Sequence, residues 1–218
     1  MSSRGREEAA ELRARLRHVY WLGGGSGAGK STTARRLAAQ HGLRVYATDG
    51  AMAAHDGRIT RRDAPFLSEF KAMSMDERWV NRSPETMLET FHWYRGEGFG
   101  LIIDDLLRLP AEPGVIAEGF RLLPRLVQPL LTTPHHAVWL LPTPGFRRAA
   151  FASRGSLWEI ARKTSDPEQA LQNLLERDRM FTDRLHQEAR RLDLPVIEIS
   201  TAMTEDGLAR RVTEVFGL

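Results

Sequence analysis

The sequence predicts an α/β fold in three layers: a five-stranded parallel sheet between helices, with a helical insertion after the second strand. Three observations carry that prediction. Short apolar runs alternate with stretches of helical period, the pattern of a parallel sheet covered on both faces. The first run ends in a glycine-rich loop that opens into a helix, the start of a βαβ unit with a right-handed crossover. Finally, Gly24 to Gly29, Asp49, Glu118 and Pro142 all fall at the ends of apolar runs, and ligands of open α/β sheets bind at the C-terminal ends of strands.

The elements follow in order. Met1 to Arg17 is charged and reads as a short amphipathic helix, with Leu12 and Leu16 on one side, or as a frayed leader. His18 to Leu22 is the first strand, and Lys30 to His41 a helix with Ala34, Leu37, Ala38 and His41 on one face. Gly42 suits its C-terminal cap, and Leu43 to Ala47 is the second strand. Gly50 to Pro110 is less regular, with helical patches at Ala64 to Met73 and Ser83 to Trp93; Ser83 followed by Pro84 is a helix start. Gly114 to Ala117 is a third strand, ending at Glu118-Gly119. Leu122 to Leu131 is a helix interrupted by Pro124 and Pro129. Ala137 to Leu141 is a fourth strand stopped by Pro142, Gly145 to Asp193 is mostly helical, Leu194 to Ile199 is a fifth strand, and Asp206 to Phe216 is a closing helix. The chain divides into core (18–49, 111–144 and 185–218), insertion (50–110) and lid (145–184), within one domain.

Length and composition fit that plan. The 218 residues, 42% hydrophobic and 27% charged, supply an ordinary globular core. The absence of cysteine excludes disulfides, thiolate metal sites and cysteine nucleophiles. No apolar run reaches membrane-spanning length, and the start lacks the apolar segment of a secretory signal, so a cytoplasmic protein off the membrane is expected. The net charge of +3 is spread thinly, with no long basic run, and no nucleic-acid partner is expected. A small-molecule substrate is the expected partner, with a homodimer left open.

Gly24, Gly25, Ser26, Gly27, Ala28, Gly29, Lys30, Ser31 and Thr32 have the spacing Gly-x4-Gly-Lys-Ser of a P-loop. Glycines let backbone N–H groups approach phosphates, and the helix start at Lys30 adds partial positive charge. Lys30 is expected on the β- and γ-phosphates of ATP, and Ser31 on Mg2+. The stretch Gly23 to Ala28 also fits Gly-x-Gly-x-x-Ala, a dinucleotide fingerprint, with Asp49 placed as its ribose ligand; that rival has no need for Lys30 and Ser31.

With the loop, Thr48-Asp49 after strand two, Val115 to Arg121 and an arginine-bearing stretch after strand four, the chain resembles the P-loop small-molecule kinases of the nucleoside-monophosphate-kinase type. That group includes adenylate, shikimate and gluconate kinases and chloramphenicol phosphotransferase. The resemblance covers most of the chain as an order of elements, and only the phosphate loop is specific. It implies a three-layer P-loop NTPase fold and ATP- and Mg2+-dependent phosphoryl transfer to a small molecule. A nucleoside or nucleotide is the first expectation, a sugar or antibiotic the next.

The resemblance also implies site residues. Asp49 would contact the acceptor hydroxyl and act as base; the alternative is a helix N-cap. Glu118 would support Mg2+, and Arg121 would contact acceptor phosphate, the alternative being a surface salt bridge. Here Glu118 stands where adenylate kinases have Asp, and Leu122 where they have Pro. Among Arg147, Arg148, Arg154, Arg162, Arg177 and Arg179, the pair Arg177 and Arg179 is assigned to the transferring phosphoryl group; an ordinary charged helix surface is the alternative. Trp79 and Trp93 either stack on the acceptor or belong to the core. Asp104 and Asp105 end an apolar run as a metal-binding aspartate would. They lie too close to Gly114 for a crossover of about a dozen residues, and read as a solvated helix face. No histidine spacing suits zinc. Two rival classes remain: a P-loop ATPase or switch acting on a protein partner, and a dinucleotide-binding oxidoreductase.

Overall fold

The computed structural model describes residues 3–147, 149 and 156–218, with the side chains of 3–6 and 156 left aside. Five strands, β1 (Val19–Gly24), β2 (Arg44–Ala47), β3 (Val115–Glu118), β4 (Ala137–Pro142) and β5 (Val196–Ile199), form one parallel sheet in the order β2-β3-β1-β4-β5. The expected five-stranded parallel sheet is therefore present.

Alternation along the strands builds the layers, because successive side chains point to opposite faces. Val19, Trp21, Val115, Ala117, Ala137, Trp139 and Leu141 join one core. Leu22, Ile116, Val138, Leu140, Ile197 and Ile199 join the other. The second core is covered by α2 (Lys30–His41), through Ala34 and Leu37, and by the closing helix α12 (Glu205–Phe216), through Leu208, Ala209 and Val212. The first is covered by α8 (Phe99–Arg108), through Ile102 and Leu106, and by α11 (Pro167–Arg191), through Phe181, Leu185 and Ala189. Each such Leu, Ile or Phe contributes about 1.5–3 kcal/mol by leaving water, so both sides of the sheet are anchored. The first helix, α1 (Ser3–Arg15), ends against this core with Leu16 buried.

Between β2 and β3 lies a run of short helices: α3 (Met52–Asp56), α4 (Pro65–Ala72), α5 (Met75–Trp79), α6 (Pro84–Thr90), α7 (His92–Arg95) and α8. The expected helical segment is thus present and more finely divided than its periodicity implied. Ser83 caps α6 by accepting from Thr86 N–H. The sequence reading passed over α5, although Ser74 and Glu77 form a capping box there. After β3, Pro124 and Pro129 cut the expected helix to α9 (Pro124–Val127) and a 3-10 turn at Gln128–Leu130. Pro142 lies within β4 rather than beyond it.

The stretch read as a lid, 145–184, is not one unit. Residues 144–147 are helical, α10 (Ser156–Ala161) is short, and α11 runs past position 184 to Arg191. Its first half packs on Trp79 and Met87 of the insertion and its second half on the sheet. Arg148 and Arg154 lie outside the described residues. Among the described residues, no helix is long and apolar enough to cross a membrane.

Candidate functional site

Sheet register brings the polar strand ends together. Glu118 aligns with Leu22 of β1 and with Ala47 of β2. Thr48 N–H then donates to Glu118 O (2.9 Å) and Gly119 N–H to Leu22 O (3.2 Å). Gly119 has φ +147°, and a Cβ there would collide with the Thr48 hydroxyl and press on the Asp49 carboxylate. A glycine after Glu118 is thus what lets the β2 end approach the β3 end. Gly24 plays the corresponding part beside β4: its φ is +135°, and a Cβ would run into Leu140 O.

Residues 25–29 wrap from β1 to the first turn of α2. Lys30 is buried and folds back over this loop, its Nζ donating to Gly25 O (2.8 Å). Ser26 to Thr32 line a cleft of about 350 Å³ together with Arg35, Asp49 and Phe120. A second cleft, of about 460 Å³, shares Gly27, Gly29 and Thr32 with it and continues between Arg36, Phe146, Met203 and Leu208. The sequence reading did not anticipate this largely apolar slot, which gathers residues from α2, the segment after β4 and the loop before α12.

Two carboxylates face the loop. Glu118 is 2% exposed, and burial raises its carboxyl above the ordinary range against the opposing pull of the Ser31 hydroxyl bonded to it and of Lys30. Its Oε2 is buried without a partner among the described residues. Asp49 opens to the cleft but is walled in by protein. That desolvation raises its carboxyl, against the pull of Lys30, of the Thr48 hydroxyl and of Arg121. It is not a helix N-cap, because Ala51 holds that position of α3.

This donor set fits a hard cation beside a phosphate. Glu118 offers an unpartnered oxygen next to the Ser31 hydroxyl. Among the described residues, no group of three or more His, Asp or Glu gathers to hold a metal. A Mg2+ ion here would therefore complete its shell with water and phosphate oxygens, as that ion commonly does.

The remaining expected residues divide. Arg121 is not in a surface salt bridge: it is 2% exposed, and its Nη1 donates to Thr48 O beneath Asp49. Trp79 and Trp93 are both core residues, packed respectively on Phe70 and Phe91 and on Ala64 and Leu67. Arg177 is buried above Trp79, Phe91 and Tyr94, with its Nη2 2.7 Å from Asp178 Oδ1. Arg147 is also buried, with Nη1 unpartnered among the described residues. Arg179 is instead half-exposed and paired with Glu176 and Asp183, the charged-surface alternative. Arg162 is exposed and pairs with Glu159.

Asp104 and Asp105 also part company. Asp104 is exposed, whereas Asp105, read as solvated, receives hydrogen bonds from Tyr46, His55 and Arg58. The reason is docking: α8 lays this one position against β2 and α3. His55 and Tyr46 were not singled out from the sequence. Their partners lie 50 and 59 positions away, so no local pattern marks them.

No protein-family model matches the chain, and a search of curated proteins returned no match.

Proposed function

We propose that the chain is an ATP- and Mg2+-dependent kinase of P-loop NTPase architecture that phosphorylates a hydroxyl or phosphate of a small molecule. A nucleoside or nucleotide heads the acceptor classes, followed by a sugar or antibiotic. The observation that carries this reading is one cleft bounded by the 26–32 loop and Asp49, with the unpartnered Glu118 oxygen beside Ser31.

Bound ATP and Mg2+ would supply the phosphoryl group and neutralise its charge. Loop N–H groups and Lys30 would hold phosphate oxygens, and Ser31 and Glu118 the cation. The apolar slot between Phe146 and Leu208 suits a flat base. Across the cleft, Asp49 orients the acceptor hydroxyl and accepts its proton; the protein around it raises its affinity for protons, which makes it a better base than a carboxylate in open water. Arg121 holds positive charge beneath Asp49, where an anionic acceptor group would lie.

Strand order speaks against the dinucleotide reading. In the doubly wound nucleotide-binding orders β1 and β2 are neighbours; here β3 separates them. The test is ATP consumption with Mg2+ against a panel of nucleosides, nucleotides, sugars and hydroxylated antibiotics, followed by mass spectrometry. One compound gains one phosphoryl group, and Lys30→Ala abolishes the gain. ATP hydrolysis that no compound stimulates would replace the kinase with an ATPase serving a protein partner.

A further inference from the structure

Arg121 is a buried cation whose hydrogen-bond partners, among the described residues, are all neutral. Nη1 donates to Thr48 O (3.3 Å) and to His55 Nδ1 (3.0 Å), and Nη2 to Gly98 O (3.2 Å). The guanidinium lies 4.2 Å from the Trp93 ring centroid, and its Nε is buried without a partner. These contacts fix where the group points without cancelling its charge.

His55 is the one side chain among those partners, and it is completely enclosed. A guanidinium can only donate. His55 Nδ1 must therefore accept, which leaves the ring proton on Nε2. Nε2 lies 2.7 Å from Asp105 Oδ2, which receives that proton's hydrogen bond. Tyr46 donates to the same oxygen (2.9 Å) and Arg58 to the other (2.7 Å). The Asp105 carboxylate stays at the rim, 22% exposed and within reach of Arg58 and Arg108. A neutral nitrogen is what reaches the interior.

We propose that His55 and Asp105 are positioning residues: Asp105 fixes the His55 tautomer, and His55 fixes the Arg121 guanidinium beneath Asp49. A carboxylate placed directly on Arg121 would orient it as firmly but would quench the charge. Relaying through a neutral imidazole keeps that charge for an anionic group in the cleft. What Arg121 faces rests on the kinase reading above; the tautomer and the orientation do not.

The experiment is nitrogen-detected NMR on the full chain, with His55 assigned from His55→Gln and Arg121 from Arg121→Lys. In the wild type, His55 carries its proton on Nε2, and Arg121 shows separate Nη signals because its rotation is hindered. A wild-type proton on Nδ1 overturns the proposal, whatever any variant does. Asp105→Leu, close to it in size, removes the acceptor of the Nε2 proton, which frees that proton to move to Nδ1 and set donor against donor; the Arg121 Nη signals should merge. Asp105→Glu, which keeps an acceptor, should leave them separate. Unchanged Arg121 signals in a folded Asp105→Leu protein overturn the positioning role.

Kinetics give a second arm, using the compound that the panel shows to be phosphorylated. Asp105→Leu should raise the acceptor KM about 10- to 100-fold, the scale of one buried polar group left without its partner, while the ATP KM changes less than about twofold. An unchanged acceptor KM overturns the proposal. A wild-type protein that phosphorylates nothing overturns the kinase reading alone, and the NMR arm still decides this one.

Discussion

Arg177 and Arg121 mark two regions that bury a guanidinium in opposite ways. At the seam between the insertion and α11, Arg177 stands over three aromatic rings and gives both Nε and Nη2 to Asp178 Oδ1, which also accepts from the Tyr94 hydroxyl. Beneath the cleft, Arg121 stands over one ring and meets only neutral acceptors. Desolvation lowers the pKa of Arg121 to about 10, and the pull of Tyr46, Asp49 and Asp105 offsets only part of that cost. The difference teaches where the fold uses a cation as a clamp and where it keeps one in reserve.

Breaking both sites in the same way sharpens the contrast. Arg177→Met leaves Asp178, itself 2% exposed, as a buried charge without its counter-ion. Breaking one side of such a pair costs about 3–5 kcal/mol, which at this chain length lowers Tm by about 10 °C. Arg121→Met removes a charge that no carboxylate touches and leaves only neutral acceptors unpaired, a loss of about 1–3 kcal/mol. Its main effect should fall on phosphoryl transfer, seen as loss of turnover in protein that still melts cooperatively. Calorimetry and turnover measured on both variants decide the matter. Equal Tm losses with equal turnover losses would erase the distinction drawn here.

Much of the cleft could be read from sequence, and the contrast between the two arginines could not. The strand, loop and helix from Val19 to His41 and the Gly42 cap (φ +66°) are set by local period and turn chemistry. The same holds for the meeting of Asp49 and Glu118, since strand ends share one edge of a parallel sheet. Arg121 was legible as a residue near the cleft but not as a buried one. Its surroundings come from Thr48, His55, Trp93 and Gly98, spread over two strands' worth of sequence and the whole insertion. Asp105 shows the same limit. Its neighbour Asp104 carries the same side chain at 54% exposure, and only the docking of α8 against Tyr46 and His55 tells the two apart.

The Asp105 end of the network can be probed by acid. Desolvation pushes its carboxyl upward, but the hydrogen bonds from His55, Arg58 and Tyr46 outweigh this and hold it at about 2. A depressed folded pKa means stability that is fully present above the unfolded value and lost as pH falls through the folded one. The Tm gap between wild type and Asp105→Asn should therefore be widest above about pH 4 and close between about pH 4 and pH 2. With solvent screening at this rim position the gap is on the order of 1 kcal/mol. A gap that does not change with pH would mean that the carboxylate is not stabilised by its partners.

The smallest effect is expected at Arg179, two residues from Arg177 along α11. A two-residue step turns the side chain about 200° around the helix axis, from the aromatic seam to solvent. There Arg179 Nη2 meets Glu176 Oε1 and Nη1 meets Asp183 Oδ2, both at 2.6 Å. With side-chain exposures of 47%, 43% and 52%, these pairs are screened by water, and exposed helix pairs contribute only about 0.3–0.5 kcal/mol each. Arg179→Ala should shift Tm by no more than about 4 °C and leave turnover and the ATP KM as they were. A large fall in turnover would place Arg179 at the transferring phosphoryl group after all. That would require the end of α11 nearest the insertion to rotate when the cleft is filled, and Arg177, held in its aromatic seam, would have to move with it.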